Sequence, residues 1–232
     1  RQGFDQKLTV RMQIEPVRDL IIDINLDKTF SKDYSELFKD TSGTGVKSHL
    51  NPLSAGGFSI SYFALNTFFD SHDPNMISSV FQTFQDNRLR ISNRVAEKNP
   101  YWDNKKDPNG YAIGYGKYSQ DVLIPAFIAA YTGKDKESVA LLNQNNSNIR
   151  SNPFSGMLPM PNWSILYNGL SKVKALSSFF TNISLSHGYN GNLSMNSFAS
   201  SLMYVDRLFL GAPSFLDPIS GNYIPYFLIP NI

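Results

Sequence analysis

From Leu8 to Ile14 every second residue is apolar: Leu8, Val10, Met12 and Ile14 alternate with Thr9, Arg11, Gln13 and Glu15. After Pro16-Val17-Arg18 the alternation resumes, with Leu20, Ile22, Ile24 and Leu26 set against Ile21, Asp23, Asn25 and Asp27. Successive side chains of a strand point to opposite faces, so this spacing predicts a hairpin with one apolar and one charged face. An apolar face on a soluble core and an apolar face on lipid give the same pattern, and periodicity does not choose between them. Residues 31–56, rich in Ser, Asp, Lys and Gly, read as a long loop. Residues 57–69 read as a further strand, with Phe58, Ile60 and Tyr62 alternating with Ser59 and Ser61.

The period then changes. Asp73-Pro74 has the form of a helix start, a capping carboxylate before a proline at the first helical position. Ile77, Val80, Phe81, Phe84, Arg88, Ile91 and Val95 follow at helical spacing, and Asn99-Pro100 ends the run. Asp107-Pro108-Asn109-Gly110 is a turn. Asp121 is placed to cap a second helix over Val122–Tyr131, with Gly133 as its stop, and Glu137–Leu142 reads as a third, short one. Asn143–Asn152 is a polar loop. Strands return at Asn162, where Trp163, Ile165 and Tyr167 oppose Ser164, Leu166 and Asn168. Over 179–189, Ile183, Leu185, His187 and Tyr189 oppose Asn182, Ser184 and Ser186. Asn190-Gly191 is a strong hairpin signal, with Leu193 and Met195 in a return strand running towards Tyr204. The expected organisation is strands and loop over 1–72, a helical insert over 73–144, and strands over 145–232. Six or seven strands fall short of the eight or so that close a membrane barrel. The start at Arg1 and the apolar stretch up to Ile232 give the chain the look of a piece of something longer.

Composition narrows the function classes. Charged residues are 17 % of the chain and aromatics 13 %, against roughly 25 % charged in an ordinary soluble domain. This mix suits a surface that meets lipid and water, and also a secreted β-protein. The net charge of +2 comes with no Lys/Arg cluster, which argues against nucleic acid as a partner. The longest apolar run, Val122–Tyr131, falls well short of the roughly 20 residues of a membrane-spanning helix. The absence of cysteine removes disulfides, thiolate catalysis and cysteine zinc sites.

No pattern of catalysis emerges. Among His49, His72 and His187, no pair has the i, i+4 spacing of a helical zinc site. His187 with Ser184, Ser186 and Asp206 invites a triad, but the G-x-S-x-G elbow is missing. Gly114-Tyr-Gly116 lacks the third glycine and the preceding strand of a dinucleotide loop, and reads as a turn. Asp23 and Asp27 flank Asn25 on one strand face, which reads as a wetted surface ahead of a metal site. Asn182-Ile-Ser184 and Asn192-Leu-Ser194 are glycosylation sequons of a kind common by chance. Trp163, Tyr167, Tyr189 and Tyr204 fit either an interfacial aromatic girdle or core packing. The expectation is no catalytic, cofactor or metal site, and no enzyme.

Three stretches carry a resemblance to a known family. The first is Phe81-Gln-Thr-Phe-Gln-Asp-Asn-Arg88 with Ile91-Ser-Asn-Arg94. The second is Gly114-Tyr-Gly116 through Ser119-Gln-Asp-Val-Leu-Ile-Pro-Ala-Phe127 to Ala129-Ala-Tyr-Thr-Gly-Lys134. The third is Pro159-Met-Pro-Asn-Trp163, Tyr167-Asn-Gly-Leu170 and Leu185-Ser-His-Gly-Tyr189. In order and spacing they resemble the SprA/Sov family, the outer-membrane translocon of type IX secretion and gliding motility in Bacteroidetes, from about residue 8 to the end. The Asn-rich loop after Asn143 and Met160 depart from the family pattern, and family members are roughly ten times longer. The resemblance implies a mainly β fold, a segment of a very large antiparallel transmembrane β-barrel with an inserted helical region at the lumen or barrel mouth. It implies a protein-conducting pore in the bacterial outer membrane, exporting folded cargo that bears a C-terminal signal domain. The implied partners are a PorV-type shuttle barrel, a periplasmic plug protein, that cargo and outer-membrane lipid. The rival classes are a smaller nutrient-uptake barrel of the same membrane, and a soluble secreted β-rich hydrolase or glycan-binding domain.

Overall fold

In the computed structural model, the described residues are 1–63, 73, 76–142, 149–150, 156–205, 208, 210–224 and 227–228. They form a mainly antiparallel β structure with few helices. The strands are β1 (Gln2–Val17), β2 (Leu20–Lys39), β3 (Ser48–Ser61), β4 (Asn162–Tyr167), β5 (Leu185–Tyr189), β6 (Asn192–Ser200) and β7 (Phe227–Leu228); the main helices are α1 (Ser79–Ala96) and α2 (Gln120–Thr132). One sheet holds all seven strands in the order β5-β4-β2-β3-β6-β7, with β1 on the other side of β2. It is not closed.

The registers reveal a simpler plan. β2 pairs with β1 from Leu20 to Tyr34. Its other side pairs with β3 from Lys28↔Ile60 onwards and with β4 from Asn25↔Asn162 downwards. Ser61 and Pro161 therefore occupy consecutive places opposite Asp27 and Leu26, and β3 and β4 are two halves of one long strand. Ser61 closes the gap: its hydroxyl donates to the Met160 carbonyl at 2.7 Å and accepts the Asp27 amide at 3.1 Å. The Met160 amide in turn bonds the Ser61 carbonyl. β5 and β6 continue one another in the same way, β5 on β4 and β6 on β3. The sheet is thus four long strands with the short β7 beside the fourth, and the chain leaves the third after Ser61 and rejoins it at Pro161 without shifting its register.

Three sequence expectations change here. Residues 31–56 are mostly strand: β2 runs to Lys39 and β3 begins at Ser48. Their polar composition misled, because partners on both sides decide strand formation more than propensity does. Only residues 40–47 remain as the connection, where the Asp40 carboxylate accepts the amides of Ser42, Gly43 and Gly45. Asn190-Gly191 is not a hairpin but a step inside a continuing strand. There the Gly191 amide bonds Asn162 Oδ1, and a Cβ on Gly191 would lie 2.2 Å from the Tyr62 carbonyl oxygen. The third expected helix, 137–142, is a turn from 136 to 138. β6 stops at Ser200, short of Tyr204, and the part of the expected 57–69 strand beyond Phe63 lies outside the described residues.

The helical insert has its own core. Ser78, not Asp73, caps α1, its hydroxyl accepting the Phe81 amide; Pro74 lies outside the described residues. Gly133 ends α2 in the left-handed conformation, as its position suggested. Ile91, Val95, Tyr115, Val122, Ala126 and Val139 are buried between the helices together with Tyr223. The segment 210–224 thus packs with the insert. Tyr223 bonds Gly114 through its amide and the Tyr101 carbonyl through its hydroxyl. Gly114 has φ 90°, and a Cβ there would strike the Tyr223 ring. The Asn99 amide donates to the Tyr115 hydroxyl and the Pro213 carbonyl.

Candidate functional site: a half-bare apolar face

Alternation and register assemble one face from several strands. Ile14↔Ile22, Met12↔Ile24 and Val10↔Leu26 pair across β1 and β2. β4 adds Tyr167, Ile165 and Trp163 opposite Leu20, Ile22 and Ile24, and β5 adds Leu185, His187 and Tyr189. On β1 this row is open: Leu8, Val10, Met12 and Ile14 are 39–49 % exposed, and Val17 more so. The run Leu8–Val17 covers about ten residues, the length that crosses a bilayer as a tilted strand.

Farther along the strands the same face is covered. Phe30, Phe58, Ile60 and Phe198 are at most 4 % exposed, with Phe4, Ile128 of α2 and Met157 packed on them. Lys32 lies among them, 2 % exposed, and burial lowers its pKa to about 8. The helical insert therefore sits on the apolar face, beyond the end of the open row.

The reverse face is polar. Thr9 donates to Asp27 and Gln13 to Asp23, both across the hairpin at 2.9 Å. A shallow concavity of about 490 Å³ is lined by Arg11, Asn25, Asp27, Asn162, Ser164 and Asn190 together with Trp163 and Tyr189. Asp23 and Asp27 are thus absorbed in cross-strand hydrogen bonds, and among the described residues no group of three or more metal-ligating side chains forms.

Of the four aromatics singled out, Trp163, Tyr167 and Tyr189 share the apolar face, while Tyr204 lies in a loop after β6. Trp163 and Tyr189 stack at 4.9 Å between centroids. Phe63, which alternation alone did not single out, lies 5.3 and 5.1 Å from their rings. The Trp163 indole donates to His187 Nδ1 at 3.2 Å, and His187 and Ser186 occupy successive strand positions and so opposite faces. Ser184 precedes the strand and is exposed, and Asp206 lies outside the described residues. Gly114-Tyr115-Gly116 forms the turn that receives 222–223, the Gly116 amide bonding Asn222. Asn182 precedes β5, and Asn192 accepts from Ser59.

No protein-family model matches the chain, and no curated protein matches it. Among the described residues no helix is long and apolar enough to cross a membrane, which leaves crossing by strands open.

Proposed function

We propose that the chain is a stretch of the wall of a large outer-membrane β-barrel, the protein-conducting barrel of a type IX secretion translocon of the SprA/Sov kind. The observation that carries the membrane part is the bare row Leu8–Val17 on a strand whose reverse face is polar. Water meets an apolar row of this length at a cost of about 25 cal/mol per Å² of apolar surface, and hydrocarbon removes that cost. Long strands and a sheet open at both edges fit a wall whose neighbouring strands come from elsewhere in the barrel. The translocon part rests on the three resembling stretches, two of which fall in the insert and the third on β4 and β5.

In this proposal no bond is made or broken. Asp23, Asn25, Asp27, Asn162 and Ser164 face the aqueous lumen, where they hold water and give a passing folded cargo little apolar surface to bind. A PorV-type barrel and a periplasmic plug act on other parts of the assembly. The insert stands beside the wall at the edge of the bilayer. Its irregular backbone cannot lie in hydrocarbon, where unsatisfied amides and carbonyls are costly, and at the bilayer edge they reach water.

Fractionation of the cells that make the protein tests this, with an antibody raised against residues 143–152. The expected result is an outer-membrane band far larger than 26.1 kDa that only detergent extracts. A band near 26 kDa in the soluble fraction overturns the proposal and returns the chain to the secreted β-proteins.

A further inference from the structure

We infer that the helical insert rests on the membrane surface through a continuous aromatic rim, so that the chain contacts lipid through the insert as well as through its strands. The inference rests on the membrane proposal above and adds a second contact to it. The rim begins on the sheet with Trp163, Tyr189 and Phe63. Tyr189 donates to the Tyr62 carbonyl at 3.2 Å, and Tyr62 donates to the carbonyl of Tyr131 in α2 at 2.8 Å. From Tyr131 the rings continue through Phe127 at 4.3 Å, Phe84 at 6.3 Å and Phe81 at 5.6 Å.

This rim is poorly explained as core. Phe81 and Phe127 are 40 and 41 % exposed, and Ile77, just before α1, is more exposed still. The buried core of the insert is the set around Ile91 and Tyr115; of the rim only Phe84 packs on it, and Phe81 and Phe127 lie outside it. The occupant follows from three features. The rim is continuous, contact by contact, with the bare apolar face. Tyr and Trp rings favour the headgroup level of a bilayer, and exposed Phe side chains on a helix enter the same boundary from the side. A cation borders the rim, the Arg88 guanidinium lying 5.4 Å over the Phe84 ring, and the exposed Lys134 follows the end of α2. Cations beside interfacial rings suit the phosphates of a lipid surface.

Single spin labels measure this in outer-membrane vesicles carrying the full-length protein. These 232 residues hold no cysteine, so once any cysteine elsewhere in the full-length protein is replaced by serine, Val10→Cys, Phe127→Cys and Ile219→Cys each introduce one label, the last at a site 94 % exposed on the segment packed with the insert. Relaxation by oxygen, which concentrates in hydrocarbon, and by a water-soluble nickel chelate gives each label's depth. The expected order is Val10 deep, Phe127 at headgroup depth and Ile219 in water. Val10 deep with Phe127 as wet as Ile219 overturns the rim and leaves the membrane wall standing. Val10 in water overturns both. A Phe127 label shielded from both reagents means a protein covers the rim, and also overturns the inference.

Discussion

Phe30, Phe58, Ile60 and Phe198 lie on the same face of the sheet as Leu8, Val10, Met12 and Ile14. The first set is nearly inaccessible and the second is 39–49 % exposed. Both obey the same period-2 alternation, and both sit on long strands with polar residues behind them. The difference is the chain between β3 and β4, which brings Ile128 of the insert and Met157 beyond it onto one stretch and stops short of the other. One sheet face thus serves as protein core along part of its length and, in the proposal above, as lipid contact along the rest. An alternating apolar row states that something must cover it and leaves the nature of the cover open.

The largest contrast should come from deleting side chains at the two ends. Phe30→Ala empties a packed site and should cost about 3–5 kcal/mol. Val10→Ala, in detergent, should move stability by no more than about 0.5 kcal/mol, as at other open positions. Urea unfolding followed by near-ultraviolet circular dichroism measures both, and equal losses would mean the β1 row is covered by protein after all. Charge sharpens the same contrast in a bilayer. Val10→Lys should cost about 2–4 kcal/mol if the site lies near the middle of the membrane, whereas Thr9→Lys, one residue away on the polar face, should be near neutral. Folding into vesicles over a denaturant series separates them, and matching behaviour removes lipid from the apolar side.

A smaller effect sits at the covered end. Lys32 titrates near 8 in the folded chain against 10.5 when exposed, because burial disfavours its charge. Between those values the unfolded chain holds the proton that the folded chain has released, so stability rises with pH across that window. Below about pH 8 the folded chain carries this charge against its burial. Lys32→Met should therefore flatten the profile from pH 8 to 10.5. An unchanged slope would show that Lys32 is not its source. The smallest effect belongs to the insert's surface. Arg90 holds the Glu137 carboxylate through one nitrogen at 2.7 and 2.8 Å, and this bond holds the Glu137 carboxyl below its usual range. Both side chains are exposed, so Arg90→Ala should leave the melting temperature nearly unchanged, the more so in high salt. A larger loss in thermal melts would mean that this pair clamps the 135–139 turn to α1.

Much of the architecture was readable in the residues. The β1–β2 hairpin, the bodies of α1 and α2, the Gly133 stop and β4 follow from spacing and breakers, but the caps are Ser78 and Ser119 in place of Asp73 and Asp121, and of the strand expected over 179–189 only 185–189 forms. The site was half readable: the apolar row and three of its aromatics came from alternation, but Phe63 had no pattern of its own. The polar residues 31–56 concealed strand, since their pairing energy comes from β1 and β3 rather than from their own preferences. The Asn190-Gly191 pair misled for a related reason. A local turn signal was overruled because β4 and β3, far apart in sequence, offered two collinear edges for β5 and β6 to follow.

What the sequence determined by itself is local: which side chains face together on each strand, where the helices stop, and that one face of the sheet is apolar and the other wet. Those are consequences of backbone period and of side-chain chemistry within a few residues. Only the tertiary structure decided that residues 62–160 interrupt a single strand and return in register. Only it decided that residues 210–224 join the insert, and that the insert covers one stretch of the apolar face and leaves the next bare. Such contacts join residues far apart in the chain, and their free energy depends on shapes that meet only once the chain has folded.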